Sequence, residues 1–234
     1  GETRFRIKRN AASVGVEKKL TEKLKSEIFY EYAIVETFDV KPDIILSKED
    51  TGTLAISGIK PGLIYDTRDN PFDPRKGILA GLSMKVASDV LFSETDFIKA
   101  IGNLSLYQGL SRYFVIAAAV KIGLARGFHD TKELPLVERF FLGGRTTVRG
   151  FEQDSLGPKG SSGTPTGGNA FVLTNLELRT YIGKSFGFVA FLDGGNVWTK
   201  TDDIELSEMR YTAGAGIRYN TPVGPIRVDY GHKL

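Results

Sequence analysis

The sequence predicts an all-β chain, a transmembrane antiparallel up-and-down β-barrel. Three observations carry this. Ten segments alternate apolar and polar residues, with turn-forming residues between them. Tight turns and longer connections follow one another along the chain, as in barrels with short turns at one end and loops at the other. No run of about 18 apolar residues occurs, which excludes a membrane helix and leaves the alternating strand as the membrane-crossing element.

The segments cover residues 4–20, 23–37, 52–66, 77–90, 95–109, 112–127, 170–183, 186–199, 209–221 and 225–234. β-branched and aromatic residues dominate them, and Gly, Pro, Asp and Asn stand at their ends. Between the first two, Glu17–Lys25 reads as two strand ends around a turn rather than as a helix. In the sixth, Phe114, Ile116, Ala118, Val120, Ile122 and Leu124 share a face, opposite Lys121 and Gly123. In the seventh, Val172, Leu176, Leu178 and Ile182 oppose Asn175, Glu177, Arg179 and Tyr181. In the ninth, Tyr211, Ala213, Ala215, Ile217 and Tyr219 oppose Thr212, Gly214, Gly216 and Arg218. In the last, Ile226, Val228 and Tyr230 alternate with Arg227, Asp229 and Gly231. Successive side chains of a strand point to opposite faces, so each strand has an apolar and a polar face.

A soluble sandwich alternates in the same way. Strand length favours the membrane: several segments run roughly 13 to 16 residues, against about 5–6 for a globular strand. The connections agree. Long ones follow the second, sixth and eighth segments, Ser88–Thr95 is intermediate, and Leu110-Ser111 and Ser185-Phe186 are very short. Thr67–Lys76 is the exception, long for a tight turn. Tyr65, Phe92, Tyr107, Tyr113, Phe186, Trp198, Tyr211 and Tyr219 lie near strand ends and read as an interfacial aromatic girdle.

Composition narrows the function classes. A chain of 234 residues suits one sizeable all-β unit, taken here as a single barrel domain over 1–234. Gly1 opens it without an initiator Met, which reads as a mature, trimmed or recombinant form. The net charge of +3 comes from nearly balanced charges and gives no support for nucleic-acid binding. There is no Cys, hence no disulfide framework or thiolate metal site. His129 and His232 are the two histidines, too few for a His-based triad or metal cluster, and both read as exposed loop or rim residues. Gly214-Ala215-Gly216 precedes no helix, so it fails as a dinucleotide fingerprint and reads as a place of close packing on a strand. Asp202, Asp203, Glu205 and Glu208 read as a solvated acidic loop. No enzyme chemistry, metal or cofactor is expected.

The connection 128–169 departs from this pattern. Its stretch Phe140–Phe151 has no strand alternation, yet holds two arginines, three glycines and three phenylalanines in twelve residues. That mixture suits a loop that folds back and packs, with Arg149 as its polar anchor. Glu177 lies on the polar face of its strand. Phe191 and Asp193 share a face with Val189, opposite Phe188, Ala190 and Leu192. If the polar faces line a lumen, Arg149 reaches both carboxylates and forms charge-assisted hydrogen bonds there. Gly143, Gly144 and Gly150 let the backbone turn tightly against a wall. The competing reading is an ordinary solvated charge at Arg149. Arg145 reads as a support of the loop, and Asp66, Arg68 and Asp69 as a pairing within their turn.

Val148-Arg149-Gly150-Phe151, preceded by Gly143-Gly144, resembles the signature of the BamA/TamA superfamily of outer-membrane protein-assembly barrels. Phe191–Trp198, the stretch from Gly168-Asn169 to Glu177, Tyr65–Pro74 with Gly77, and Thr221–Pro225 before Ile226–Tyr230 resemble further family segments in the family's order. The resemblance implies that the motif sits at the tip of the sixth external loop, tucked into the lumen. Its expected site is Gly143, Gly144, Val148, Arg149, Gly150, Phe151, Glu177, Phe191 and Asp193. It also implies an outer membrane, bacterial or organellar, and a role in inserting or translocating outer-membrane proteins. The implied mechanism is strand-end matching at a weak lateral seam with local bilayer thinning. The implied partners are the lipid bilayer, unfolded outer-membrane protein clients, and accessory subunits or a homo-oligomer. Family barrels have more than ten strands and usually carry POTRA domains, so the expectation is part of a larger or oligomeric barrel. Two alternatives stand beside this reading: a two-partner-type polypeptide secretion pore, and a soluble β-barrel binding an apolar ligand.

Overall fold

The computed structural model describes residues 6–38, 50, 52–161, 163–182, 186–221 and 224–234. Ten strands follow one another: β1 (Arg6–Lys19), β2 (Leu24–Phe38), β3 (Gly52–Asp66), β4 (Gly77–Ala87), β5 (Phe97–Gly109), β6 (Phe114–Gly127), β7 (Ala170–Ile182), β8 (Phe186–Trp198), β9 (Arg210–Thr221) and β10 (Gly224–Lys233). They form one sheet in chain order, and each pairs antiparallel with the next. β1 and β10 are its edges, and the sheet is not closed among the described residues. The up-and-down all-β order is the one read from the alternation. Residues 4 and 5, the Ser185 turn and the Pro222-Val223 part of the last hairpin lie outside the described residues, as do 39–49 of the second connection.

β4 stops at Ala87, short of the expected 90, for a local reason. The Leu91 N–H donates back to Ser88 O at 2.9 Å and the Asp89 N–H to Asp96 Oδ1 at 3.0 Å, which closes a helical turn over Asp89–Leu91. The long 67–76 turn also folds compactly. Asp69 Oδ1 accepts backbone N–H groups from Asn70, Arg75 and Lys76 at 3.0, 2.9 and 3.2 Å. Asp69 therefore braces the turn's backbone instead of pairing with Arg68, which grips Asp66 bidentately at 2.9 and 2.7 Å. Tyr181 Oη of β7 donates to Asp73 at 2.7 Å, and the Arg75 guanidinium lies 4.2 Å from the Tyr181 ring centre. These contacts fold the turn toward the polar face of the sheet.

The apolar face is left bare. Ile116, Val120, Ile122, Leu124, Leu176, Leu178, Phe188, Leu192 and Ile217 are all exposed on it. Removing such a side chain from water is favourable by about 1.5–3 kcal/mol each, so this face calls for an apolar surrounding. A soluble barrel would turn these residues inward, so the reading of a soluble ligand carrier is corrected here. The opposite face is less uniformly polar than the alternation implies. Near the long connections it is apolar: Val35, Ile56, Phe97, Phe171, Leu173 and Val197 pack there against Leu134, Phe140, Leu142, Val148 and Leu156 of the 128–169 connection. That contact is the chain's hydrophobic core.

Two residues assigned to the girdle lie elsewhere. Trp198 is 3% exposed and donates its indole N–H to Glu208 at 2.8 Å. Asp202, Asp203, Glu205 and Glu208 are all exposed, as read from the sequence, and Asp203 accepts the Lys200 N–H at 3.1 Å. Tyr107 turns to the polar face, with the Arg179 guanidinium 5.5 Å from its ring centre. His232 is exposed near the end of β10, opposite Ala213.

Candidate functional site

Strand register sets the floor of the site. One row across β7, β8 and β9 is Asn175, Asp193 and Thr212. The next, extending to β10, is Glu177, Phe191, Gly214 and Gly231. A third is Arg179, Val189, Gly216 and Asp229. Period-2 alternation puts these side chains on one face. The glycines of β9 make the floor possible. A Cβ on Gly214 would stand 2.3 Å from the Phe191 ring, and one on Gly216 would overlap the Asp229 carboxylate. Their absent side chains leave room for the ring and the acid.

The loop reaches this floor through its core. Val148 is fully buried in the apolar cluster, and Arg149 follows it out onto the carboxylates. Gly143, Gly144 and Gly150 all have positive φ, and Gly150 at +90° is the informative one. Its Cα rests on β10, where a Cβ would meet Gly231 O at 2.8 Å. Phe151, next along, has the Lys233 ammonium 4.8 Å from its ring centre.

Arg149 is the hub. Its Nε and Nη2 donate to Asp193 Oδ2 and Oδ1 at 2.7 and 2.8 Å, a bidentate pair, and its backbone N–H adds a third bond to Oδ2 at 3.1 Å. Its Nη1 donates to Glu177 Oε1 at 2.8 Å and to Asp229 Oδ2 at 3.2 Å. The guanidinium lies 3.6 Å from the Phe191 ring centre, a cation–π contact. Asn175 Nδ2 bonds both Asp193 Oδ1 at 2.8 Å and Thr147 O at 3.0 Å, linking loop and floor again. Burial opposes the Arg149 charge, but the hydrogen bonds and charges of Asp193 and Glu177 outweigh it and hold its pKa above the ordinary arginine value. Asp193 itself is fully buried.

The structure thus brings together Val148, Arg149, Gly150, Phe151, Glu177, Phe191 and Asp193, while Gly143 and Gly144 shape the loop farther back. Arg145 is exposed and lines a cavity of about 980 Å³ with Tyr107, Arg179 and Arg227. Sequence reasoning missed Asp229. It alternates onto the polar face of β10, and that was the available signal. Only the sheet's three-dimensional course shows that it meets Arg149. Also missed was a second ion network, beneath the near arm of the loop. Glu138 Oε1 accepts from Lys85 Nζ at 2.5 Å, Lys99 Nζ donates to Glu138 Oε2 at 3.1 Å, and Lys85 also meets Glu31 at 3.2 Å. The site offers charge pairing and positioning. Among the described residues, no three His, Asp or Glu side chains are placed to hold a metal ion.

A family model described as the Omp85 superfamily domain matches residues 2–234. Over 199 residues the chain is 28% identical to the outer membrane protein assembly factor BamA of Neisseria meningitidis serogroup B, covering 71% of this chain and 25% of that protein. Over 191 residues it is 29% identical to the sorting and assembly machinery component 50 homolog of Homo sapiens, covering 73% of this chain and 39% of that one. The chain thus spans well under half the length of these relatives. In fold it is similar to the crystal structure of BamA from Haemophilus ducreyi lacking POTRA domains 1–3. The TM-score is 0.84 at 20% identity, over 98% of this chain and 51% of that one. CdiB from Acinetobacter baumannii is a more distant fold neighbour, with TM-score 0.62 at 14% identity, over 98% of this chain and 39% of that chain.

Proposed function

Because this chain belongs to the Omp85 superfamily and to an outer membrane, we propose that it forms β-barrel wall of a machine that assembles or inserts outer-membrane proteins. Residues 128–169 fold into the lumen, and Arg149 anchors them to the inner wall. The clients are unfolded outer-membrane proteins, which need a wall that can be opened or matched along its strands rather than a reactive group. The names of the relatives support this role, and the bare apolar face supports a lipid surrounding. The single observation that carries the anchor is Arg149 bound at once to carboxylates of β7, β8 and β10.

In a bilayer the unpaired N–H and C=O groups of β1 and β10 need partners, since each exposed group costs several kcal/mol in hydrocarbon. The sheet is therefore continued there by further strands, of the same polypeptide or of another. Arg149→Ala tests the anchor in membrane-folded protein. The expected result is faster protease cleavage within 143–157 together with reduced insertion of a nascent barrel into liposomes. Unchanged cleavage and unchanged insertion would refute it. A polypeptide secretion pore is the outcome indicated by ion conductance in planar bilayers with no insertion of a nascent barrel into liposomes by the unaltered protein.

A further inference from the structure

The lock at Arg149 leaves the arm that enters the loop unexplained. Residues 134–140 enter the loop ahead of Val148; Leu134 and Leu136 are fully buried or nearly so and Phe140 packs into the core. Glu138 sits among them at the end of a short helical turn, Leu136–Glu138, and is itself buried. A carboxylate carried into an apolar contact needs partners, and it has two. Lys85 of β4 and Lys99 of β5 stand opposite one another in register and both point at it. Lys99 Nζ also donates to the Glu138 backbone carbonyl at 2.7 Å and lies 4.8 Å from the Phe140 ring centre. The neighbours complete the setting. Glu31 of β2 accepts from Lys85 at 3.2 Å, and Arg9 of β1 and Lys60 of β3 reach Glu31 at 2.8 and 3.2 Å. The polarity is the reverse of the Arg149 site. There a loop cation enters a group of wall acids, whereas here a loop acid enters a group of wall bases.

We infer that Glu138 is a second, charge-reversed latch, and that the loop is a strut holding β4 and β5 at one end and β7, β8 and β10 at the other. Arg139 and Asp50 reinforce the same arm. The Leu136 N–H donates to Asp50 Oδ1 at 2.7 Å, and Arg139 Nε donates to Leu134 O at 2.9 Å. A loop tied at one point leaves the two halves of the sheet free to flex against each other. Tied at both, it fixes their separation, so releasing either latch changes how far the wall can open. This extends the loop reading above, yet latch and function can fail separately, because accessibility reports the latch whether or not the protein inserts clients.

Acid adds a signature that packing alone would not give. Burial tends to raise the Glu138 pKa, but Lys99 and Lys85 outweigh it and hold the carboxyl below its ordinary value of 4.5. A depressed folded-state pKa means that the latch contributes fully above about the ordinary value and is lost as pH falls through the depressed one. Glu31, Lys60, Lys85, Lys99 and Arg9 are the charged groups facing this network.

The chain has no Cys, so single cysteines report accessibility cleanly. Leu134→Cys and Val148→Cys replace two fully buried residues, one in each arm. They are placed in membrane-folded protein that passes a heat-mobility check, and are labelled with a dipyridyl disulfide, which reacts in acid. Glu138→Gln is expected to speed labelling at 134 roughly tenfold or more and to leave 148 protected, as local opening would do. Arg149→Ala is expected to do the converse. Lys99→Met, a second route to the same break, is expected to match Glu138→Gln. With Glu138 present, labelling at 134 is expected to rise as pH falls below the ordinary carboxylate range, and Glu138→Gln is expected to abolish that dependence. Continued protection of 134 in both Glu138→Gln and Lys99→Met would overturn the latch. Simultaneous opening of both arms by either break would overturn its independence from Arg149.

Discussion

At Arg149 burial and charge pull in opposite directions. An arginine removed from water is costly unless its donors are matched, and breaking such a buried pair costs about 3–5 kcal/mol. Here Nε, Nη1 and Nη2 meet carboxylates, and the backbone N–H joins them on Asp193. Asp193 takes three of these bonds, Glu177 one at 2.8 Å and Asp229 one at 3.2 Å, which ranks their importance in that order. Gly150 is the companion requirement. Gly150→Ala forces a side chain into positive φ and against the Gly231 backbone. It is expected to weaken loop docking by about 1–3 kcal/mol, read as faster hydrogen exchange at 148–151 with the strands unchanged. Equal exchange would show that the close approach is unnecessary. At this scale the sequence was informative where residues sit in one local pattern: Arg149, Glu177, Phe191 and Asp193 are found by alternation and loop composition. Asp229 and Glu138 are not, because the partners of each lie on strands distant in sequence. Trp198 looked like a girdle residue because its burial depends on the fold of the following connection.

At the scale of the element, each strand does two jobs with one alternation. In β7, Leu176 and Leu178 face outward while Asn175 and Glu177 face the loop. Leu176 lies midway along the strand. Leu176→Arg is expected to destabilise the membrane-folded sheet by roughly 2–4 kcal/mol, the midplane penalty for a cation on a lipid face. Urea unfolding in vesicles measures this, and a change under about 0.5 kcal/mol would contradict an outward position in lipid. Strand positions were legible because period-2 patterns with turn residues are local. The ends of strands were less so. β4 yields to the turn at Asp89–Leu91, and the apolar stretch of the inner face is intelligible only with the loop lying on it.

For the whole molecule, the sheet divides by what the loop touches. Its near arm meets β4 and β5 and its tip meets β7, β8 and β10, so one connection spans the inner wall. The edges remain. If further strands continue the sheet in the membrane, amides of β1 and β10 will exchange slowly there, as those of central strands do. Rapid exchange along either edge, with the centre protected, would show that edge to be unpaired. The ten-strand order could be read from sequence, but what meets the edges could not, since pairing beyond β1 and β10 leaves no trace in the alternation within them.

A double-mutant cycle on Arg149→Ala and Asp193→Ala, read by protection of the loop tip in membrane-folded protein, tests the anchor most directly. The expected result is strong non-additivity: each single change releases the tip, and the second adds little, giving a coupling on the order of 2–3 kcal/mol. Additive effects within about 0.5 kcal/mol would contradict the anchor and return Arg149 to the role of an ordinary loop charge.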